Sequence, residues 1–494
     1  MLRPYNSFTY SLEAAAKLLG AERKNFQEIE FTGITHKDAE VLPGDIFLAF
    51  PGAKFHGGEF ISRAKERGAV AVLTDEAGAE LSKDLPTLVV TNAREAGATL
   101  SSSFYRDPIR DLQSIGITGT NGKTTVTTLL HQIFAAVGRE SGLIGTVETR
   151  IGAESIKSER TTPEAPELQA LAATMRERHM RHLVMEVSSH SLELKRMVGA
   201  HFEIAGFTNL SQDHLDFHGD MESYYKAKRR LFTHEYSELG FINIDGEFGR
   251  RLFGESDIPA VSISRFDKSA TWHFTSTVNV ATGVEFTIRG RDGILIESRT
   301  TLHGGFNLDN LLLAIAIANE CGIDPLEIAS ITPSLVGAPG RLEPVSIGQN
   351  FTALVDYAHS PDAVSNVLSA VREFTAGKVI AVLGCGGDRD ASKRPLMGKA
   401  LADGCDVAIY TSDNPRSEDP SEILRQMTTG LAINGQSAVI EDRAAAIQAA
   451  VNIAGPGDTV LVLGKGHESG QEISGVVTPF DDRLHLAAAI EAKE

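Results

Sequence analysis

A glycine-lined turn between an apolar run and a helix-length segment constrains this chain more than any other feature. Residues 112–117 form the apolar run, residues 119–125 read Gly-Thr-Asn-Gly-Lys-Thr-Thr, and residues 126–137 have helical spacing. Glycines let successive backbone amides point at phosphate oxygens, and the next helix adds the positive end of its dipole. In such a loop, Lys123 reaches the outer phosphates and Thr124 holds Mg²⁺. The pattern predicts a phosphate-binding loop in an α/β domain.

One position departs from the generic phosphate-loop pattern, which has glycine where this chain has Ile117. The alternative is an ordinary tight turn between a strand and a helix. The order of strand, glycine-rich turn, Lys-Thr pair and helix favours the phosphate loop.

The length of 494 residues exceeds what one hydrophobic core usually serves, so two or three domains are expected. Short apolar runs between turn signals, such as residues 45–50, predict a small α/β domain in the first hundred residues. From about residue 113, strand-length apolar runs alternate with helix-length segments, which is typical of a mostly parallel sheet. A Gly-Ala-Pro-Gly segment at 337–340 separates this core from a last region with the same alternation.

The net charge, the cysteines and the absence of long apolar runs in the sequence argue against several classes of protein. The formal net charge of −18 argues against nucleic-acid binding, so an anionic ligand must meet a local cluster of positive groups. Cys321, Cys385 and Cys405 fit neither a disulfide framework nor CxxC metal spacing, which indicates buried thiols and a reducing compartment. No apolar run reaches the ~18 residues of a membrane span, and no signal peptide is evident. We expect a cytoplasmic protein that binds neither membrane nor nucleic acid.

Two polar segments follow predicted strands, where open parallel sheets place ligands. Glu186 follows the apolar run 182–185, and residues 208–219 contain two histidines and two aspartates. A carboxylate beside the phosphate loop suits Mg²⁺, which prefers oxygen ligands. The alternatives are a surface or capping carboxylate at Glu186 and a polar loop at 208–219 that satisfies its own backbone.

With these motifs in view, the chain resembles the Mur ligase family. The resemblance extends over residues 112–468, and its motifs occur in the family's order. They are the phosphate loop, Thr-Thr-Pro-Glu (161–164), Glu-Val-Ser-Ser-His-Ser (186–191), Asp-His-Leu-Asp-Phe-His-Gly (213–219), Gly-Arg-Leu-Glu (340–343), Asp-Tyr-Ala-His (356–359), Gly-Cys-Gly-Gly-Asp-Arg-Asp (384–390), Asp-Asn-Pro-Arg (413–416) and Gly-Lys-Gly-His-Glu (464–468).

The resemblance implies a three-domain α/β protein. Its domains are an N-terminal UDP-binding domain (1–100), a central ATP-binding domain with a mostly parallel sheet (101–338) and a C-terminal Rossmann-like domain for the diamino acid (339–494). It implies a monomeric ligase of cell-wall synthesis with three small-molecule substrates: ATP, UDP-N-acetylmuramoyl-L-alanyl-D-glutamate and meso-diaminopimelate. In the mechanism that the resemblance implies, a carboxylate of the D-glutamyl residue attacks the γ-phosphate of ATP to give an acyl phosphate, and the diamino acid's amine then displaces phosphate from it.

The resemblance also implies residue roles. The catalytic residues are Lys123, Glu186, His214 and Lys228, and the Mg²⁺ ligands are Thr124, Glu186, His214 and Lys228 as a carbamate. ATP is bound by Gly119, Thr120, Asn121, Gly122, Lys123, Thr124, Thr125, Asn307, Arg341 and His359. The UDP-muramoyl dipeptide is bound by Thr161, Thr162, Ser188 and Arg196. Meso-diaminopimelate is bound by Arg389, Asp413, Asn414, Pro415, Arg416, Gly464 and Glu468.

The N-terminal motif differs from the family pattern, with Asp38 where a serine is expected beside the uridine nucleotide. Arg160 stands where asparagine is commoner, and Leu194 stands where some members have glutamine. These differences fall on the UDP-muramoyl end of the predicted site.

Arg416 bears on the choice of amino acid. Meso-diaminopimelate differs from lysine by a distal carboxylate, which a guanidinium binds through two parallel hydrogen bonds. Lysine would leave that arginine buried without a partner, a mismatch of about 2 to 5 kcal/mol. The alternative is that Arg416 follows Asn-Pro in a turn and points into solvent. Arg389 also has an alternative role: within Gly-Asp-Arg-Asp it could pair with Asp388 or Asp390 rather than with the ligand.

Three other functions compete with this interpretation. Folylpolyglutamate synthase has the same plan, but the N-terminal region and Asp-Asn-Pro-Arg argue against it. A non-catalytic nucleotide-sugar sensor would not need every phosphate-transfer group. A P-loop switch or motor is disfavoured because no apolar run ending in Asp, as in a Walker B strand, lies near the loop.

Overall fold

Three sheets organise the chain in the computed structural model, which describes residues 2–52, 55–280, 283–302, 304–433 and 435–493. They have five, eleven and six strands in chain order. Most strand pairs of the two larger sheets are parallel, and helices make most of the connections between parallel strands. The predicted three-part α/β fold class is confirmed. Within the described ranges, no helix has both the length and the apolar character that crossing a bilayer requires.

The N-terminal part contains a small mixed sheet in the order β2-β7-β6-β5-β4. Its strands are β2 (Glu22–Lys24), β4 (Gly33–Thr35), β5 (Asp45–Ala49), β6 (Ala71–Thr74) and β7 (Thr87–Val89), and β1 (Tyr10–Ser11) and β3 (Glu30–Phe31) pair in a separate two-stranded sheet. Its helices are α1 (Leu12–Leu19), α2 (Ile61–Glu66), α3 (Glu76–Leu81) and α4 (Ala93–Phe104). The apolar faces of α1 and α4 pack on this sheet, with Leu12 and Leu100 fully buried.

The central sheet has the order β11-β10-β9-β12-β8-β13-β14-β15-β16-β17-β18. Its strands are β8 (Gln113–Thr118), β9 (Ser141–Ile144), β10 (Glu148–Ile151), β11 (Glu154–Lys157), β12 (His182–Glu186), β13 (Phe202–Phe207), β14 (Ser237–Asn243), β15 (Ala260–Ser264), β16 (Trp272–Val280), β17 (Gly283–Arg289) and β18 (Leu295–Thr300). Its helices are α5 (Lys123–Ala136), α6 (Ala165–Glu177), α7 (Ser189–Glu193), α8 (Leu215–His218), α9 (Met221–Arg229), α10 (Glu247–Glu255), α11 (Gly305–Glu320) and α12 (Pro325–Ile331).

The C-terminal sheet has the order β19-β20-β24-β21-β22-β23. Its strands are β19 (Glu343–Pro344), β20 (Thr352–Asp356), β21 (Val379–Cys385), β22 (Val407–Ser412), β23 (Ala438–Val439) and β24 (Thr459–Leu463), and β25 (Gly470–Ile473) and β26 (Val476–Pro479) form a separate hairpin. The helices are α13 (Pro361–Phe374), α14 (Lys393–Gly404), α15 (Pro420–Met427), α16 (Arg443–Ile453) and α17 (Asp482–Glu491).

Burial on both faces explains why the central strands are nearly continuous apolar runs. Ile115 and Ile117 of β8 pack with Leu129 of α5 and Leu312 of α11 in one core. A second core contains Leu183 of β12, apolar side chains of neighbouring strands and the apolar face of helix α6. The sheet is therefore fixed between helical layers, and the loops at its carboxyl edge are anchored on a rigid frame.

Helix α5 begins earlier than its apolar spacing predicts. The spacing predicts a start at Val126, but the helix begins at Lys123, directly after Gly122. The polar residues Lys123 and Thr124 therefore form the first helical turn. This geometry places the loop at a helix N-terminus, where backbone amides are unpaired.

Candidate active site

The phosphate-type loop lies where the central sheet changes winding direction. Strand β8 lies between β12 and β13, and the loop follows its carboxyl end. The end of β13 holds the loop in place: Thr208 Oγ1 donates to the Asn121 carbonyl at 2.6 Å, and Thr120 N donates to the Asn209 carbonyl at 2.9 Å. Such switch points form the ligand crevices of open α/β sheets.

Gly122 shows why this turn requires glycine. Its φ of 86° is in the left-handed region, and a Cβ on it would collide with the Asn310 side-chain oxygen. Any other residue would be strained at this φ, and the Asn310 side chain would have to move away from the turn. Asn310 thus lies directly against the turn.

Lys228, which is buried, and Lys123, which is partly exposed, share one carbonyl of the loop. Lys123 Nζ donates to the carbonyls of Gly119 and Thr120, both at 2.9 Å, and Lys228 Nζ donates to Gly119 at 2.7 Å. Burial, with the nearby Lys123 charge, lowers the pKa of Lys228 well below its usual value. Burial also lowers the pKa of Lys123. Lys228 is therefore biased towards the neutral amine.

Glu186 is fully buried at the end of β12 and is oriented by Thr146. Its Oε1 accepts from Thr146 N at 2.7 Å, and its Oε2 accepts from Thr146 Oγ1 at 3.0 Å. The same hydroxyl is 3.0 Å from Thr161 Oγ1, and Thr162 Oγ1 donates to the Glu186 carbonyl at 2.8 Å. A network of short hydrogen bonds therefore joins Glu186 to the Thr-Thr motif.

A first cavity, of about 390 Å³, opens beside the loop. Asn121, Gly122 and Thr125 line it from the central sheet, and Arg341 and Asp356 line it from the C-terminal third. The volume is within the range of small-molecule sites. The cavity can hold a ligand that contacts the loop amides and the C-terminal part together.

Arg341 and Asp356 are both fixed by local contacts. The Arg341 guanidinium lies 4.7 Å from the centroid of the Tyr357 ring. The Asp356 carboxylate accepts from Leu342 N at 2.7 Å and from Ala358 N at 2.8 Å. Burial raises the pKa of Asp356.

A second cavity, of about 440 Å³, lies between the loop after β13 and the carboxyl edge of the C-terminal sheet. His190, Asp213 and His214 line one side. Six predicted residues line the other side: Arg389, Asp413, Asn414, Arg416, Gly464 and Glu468. Lys393 Nζ donates to Asp213 Oδ1 at 2.7 Å and joins the two sides.

The C-terminal side of this second cavity carries both signs of charge. Lys465, fully buried, lies 3.0 Å from Asn414 Oδ1 and 3.2 Å from Glu468 Oε2. Arg416 Nη1 donates to the Gly387 carbonyl at 2.6 Å. Arg416 lines this cavity together with the carboxylates of Asp413 and Glu468 and the amide of Asn414. Such a set suits a ligand that bears both a carboxylate and an ammonium.

Comparisons with known proteins agree over most of the chain. Residues 30–105 match the Mur ligase family catalytic domain, residues 117–318 match the Mur ligase middle domain, and residues 340–466 match the Mur ligase glutamate ligase domain. A Streptomyces coelicolor protein named UDP-N-acetylmuramoyl-L-alanyl-D-glutamate--2,6-diaminopimelate ligase is 52% identical, over 94% of this chain and 93% of its own length. The chain belongs to the Mur ligase family.

Other relatives extend the same comparison. A Geobacillus thermodenitrificans protein of the same name is 41% identical, over 92% of this chain and 93% of its own length. A solved structure of a ligase of that name is 32% identical with a TM-score of 0.68, over 98% of this chain and 99% of that one. Mycobacterium tuberculosis folylpolyglutamate synthase shares the fold at 18% identity and a TM-score of 0.61, over 75% of this chain and 92% of its own length.

Five of the ten ATP residues that the resemblance implies line one of the two cavities. Asn121, Gly122, Thr125 and Arg341 line the first cavity, whereas His359 lines the second. Asn307 is buried in helix α11 and is not among the residues that line either cavity. Gly119, Thr120, Lys123 and Thr124 form the turn itself and the start of α5.

Three of the four residues implied for the UDP-muramoyl dipeptide, Thr161, Thr162 and Ser188, belong to the hydrogen-bond network of Glu186. Ser188 N donates to Thr162 Oγ1 at 3.1 Å. Arg196 Nε lies 3.0 Å from Oε1 of the buried Glu164, which also holds Arg94 at 2.5 Å. Nearby arginine charges lower the pKa of Glu164 although its burial acts in the opposite direction.

Several side chains near the loop carry donor atoms for the Mg²⁺ that the resemblance implies. Glu186 supplies carboxylate oxygens and Thr124 a hydroxyl beside the loop, and burial lowers the pKa of His214 to about 4, so its imidazole is neutral at pH 7. Lys228 as an ammonium repels a cation, but its neutral amine is the form that adds CO₂ to give a carbamate. Within the described ranges, no three His, Cys, Asp or Glu side chains cluster as a metal site. Glu186 and Thr124 supply the oxygen donors that Mg²⁺ prefers, and a carbamate on Lys228 would add another.

Several residues at the site were not singled out from the sequence. Asp356 belongs to the Asp-Tyr-Ala-His motif and Lys465 to the Gly-Lys-Gly-His-Glu motif. Their burial follows from their positions at the carboxyl ends of strands β20 and β24. Lys393, Thr146 and Asn310 carry no local signal. Pro415, which was predicted, is not among the residues that line the second cavity.

Proposed function

We propose that this chain is an ATP-dependent ligase that joins meso-diaminopimelate to UDP-N-acetylmuramoyl-L-alanyl-D-glutamate in peptidoglycan precursor synthesis. Relatives 52% and 41% identical carry the name of the 2,6-diaminopimelate ligase. The observation that carries the choice of amino acid is the second cavity, which Arg416 lines together with Asp413, Asn414 and Glu468. We expect the enzyme to act as a monomer in the cytoplasm.

Each part of the chain has a substrate in this proposal. Residues 1–100 bind the UDP end, residues 101–338 bind ATP, and residues 339–494 bind the diamino acid. The four residues Thr161, Thr162, Ser188 and Arg196 hold the muramoyl dipeptide near Glu186. The first cavity takes the nucleotide, because it begins at the loop amides and extends to Arg341.

In the first chemical step, a carboxylate oxygen of the D-glutamyl residue attacks the γ-phosphorus of ATP. A P–O bond forms to the carboxylate, the bond to the β-phosphate oxygen breaks, and ADP leaves. Two anions must approach each other, so the loop amides and Lys123 act by neutralising phosphate charge. Mg²⁺, held by Thr124, Glu186, His214 and the carbamate of Lys228, would supply further neutralisation of the phosphate oxygens.

In the second step, the amine of the diamino acid attacks the acyl carbon and forms a tetrahedral intermediate. Collapse of this intermediate expels phosphate, which keeps the former carboxylate oxygen, and the nitrogen loses a proton. The second cavity orients the amine, because Arg416 binds the distal carboxylate while Asp413 and Glu468 face ammonium charge.

The test is phosphate release by the purified chain with ATP, MgCl₂ and the UDP-muramoyl dipeptide. Adding meso-diaminopimelate should stimulate release, and lysine at the same concentration should not. Release stimulated by lysine but not by meso-diaminopimelate would overturn the assignment. Dihydrofolate with glutamate is the control for folylpolyglutamate synthase activity, and it should release no phosphate.

A further inference from the structure

The hairpin of β25 and β26 fixes the backbone of Arg416. Arg416 N donates to the Glu472 carbonyl at 3.0 Å, and Ser474 N donates to the Arg416 carbonyl at 2.6 Å. Glu472 N donates to Asn414 Oδ1 at 3.0 Å. These bonds hold Arg416 at a φ of 53°, a left-handed conformation that a non-glycine residue adopts only when its surroundings require it. Backbone contacts therefore direct the arginine into the second cavity.

The side chain of Glu472 adds a charge beside the same arginine. Glu472 Oε2 lies 3.7 Å from Arg416 Nε, while Arg416 Nη1 is taken by the Gly387 carbonyl. The Arg416 side chain is 24% exposed and that of Glu472 is 38% exposed. The guanidinium thus has an internal carboxylate partner on its Nε edge.

A ligand carboxylate must compete with this partner. A guanidinium binds a carboxylate best through two parallel N–H groups, and the Nε edge is one of the faces that offers such a pair. Glu472 Oε2 lies 3.7 Å from Nε on that edge, and its negative charge repels an incoming carboxylate. Neither effect applies to a ligand without a distal carboxylate.

We propose that Glu472 is an exchangeable counter-ion of Arg416, which holds the guanidinium when the cavity is empty and raises KM for the diamino acid. The inference rests on the proposed function, because it takes the distal carboxylate of meso-diaminopimelate as the competing ligand. Glu472 is a specificity-tuning residue rather than a catalytic one.

Glu472→Gln isolates the charge, because both backbone hydrogen bonds to Arg416 and the side-chain shape remain. KM for meso-diaminopimelate should fall about two- to fivefold, since a partly exposed ion pair is worth no more than a factor of about five. KM for ATP should stay unchanged. Glu472→Asp keeps the charge and should stay nearer the wild-type KM. Glu491→Gln, at the exposed end of α17, is the matched control and should change nothing.

Salt supplies a second readout. The KM difference between the wild type and Glu472→Gln should shrink as NaCl rises from 50 mM to 500 mM, because salt screens partly exposed charges. A purely structural effect of the substitution would not depend on salt in this way. Thermal midpoints of the two proteins should agree within about 2 °C.

An unchanged or raised KM for meso-diaminopimelate in Glu472→Gln would overturn this proposal and leave the proposed function intact. An equal fall in KM for ATP would also overturn it, because the effect would then not belong to the diamino acid. If the wild-type protein forms no product with meso-diaminopimelate, the proposed function itself fails before any variant is compared.

Discussion

The ion pair between Asp213 and Lys393 is expected to hold the two sides of the second cavity together during turnover. Asp213 precedes His214 in the loop after β13, and Lys393 begins helix α14 of the C-terminal part. Their side chains are 10% and 20% exposed. Burial alone would raise the pKa of Asp213, but the His214 and Lys393 charges hold it below its usual range.

The size of the effect follows from this geometry. A hydrogen bond of 2.7 Å between charged, mostly buried groups contributes about 1.5 to 3 kcal/mol, whereas a surface ion pair contributes at most about 1 kcal/mol. Lys393→Met should therefore lower kcat/KM for meso-diaminopimelate roughly 10- to 150-fold. Lys399→Met is the matched control: it lies on the same helix and pairs with Asp403 of that helix at the surface.

The assay is phosphate release by the wild type, Lys393→Met, Asp213→Asn and the double variant. If the pair acts as a unit, the double variant should lose little more than either single variant, with a coupling energy above about 1 kcal/mol. Losses that simply add, with coupling below about 0.5 kcal/mol, would refute the idea that this contact joins the two parts. A loss in Lys399→Met equal to that in Lys393→Met would refute it as well.

Three further predictions concern single positions. Lys123→Ala should lower the phosphate-release kcat at least about 100-fold, because it removes a cation that neutralises phosphate charge; retained activity would rule out the phosphate loop. Arg416→Met should raise KM for meso-diaminopimelate by roughly 30-fold or more, and an equal rise in KM for ATP would contradict its assigned role. His182 stacks on Phe134 with a centroid distance of 4.0 Å, neither ring nitrogen has a partner among the described residues, and burial lowers its pKa to about 4. Below pH 6.5 the unfolded chain therefore binds more protons than the folded chain. The free energy of unfolding should fall as the pH is lowered from 6.5 to 4, by at most about 3 kcal/mol from this residue. The urea-unfolding free energy of His182→Phe should depend less on pH than that of the wild type, and an unchanged dependence would contradict this.

Local patterns predicted the frame of the site. The strand, glycine-rich turn and Lys-Thr pair around Lys123 indicated the loop because backbone curvature, dipole and charge are specified by adjacent residues. Polar residues after apolar runs, such as Glu186 and Asp413, were expected at a carboxyl edge because parallel strands end together. The predicted α/β class follows from the same alternation.

The remaining contacts depend on residues far apart in the chain. Lys393 meets Asp213 across 180 positions, and Asn310 closes on Gly122 only once α11 packs against α5. Neither residue stands out locally, since each occupies an ordinary polar position on a helix. The left-handed turn at Arg416 likewise requires the hairpin that follows it by more than fifty residues. Such pairings are properties of the folded chain and not of any segment.

Oxygen transfer from the dipeptide substrate to phosphate tests the acyl-phosphate chemistry most directly. The UDP-muramoyl dipeptide, labelled with ¹⁸O in the reacting D-glutamyl carboxylate, is converted with ATP and meso-diaminopimelate, and the released phosphate is analysed by mass spectrometry. One ¹⁸O atom should appear in each phosphate formed from fully labelled substrate, because the carboxylate oxygen that attacks the γ-phosphorus leaves with it. Phosphate free of ¹⁸O, formed together with the amide product, would contradict the account.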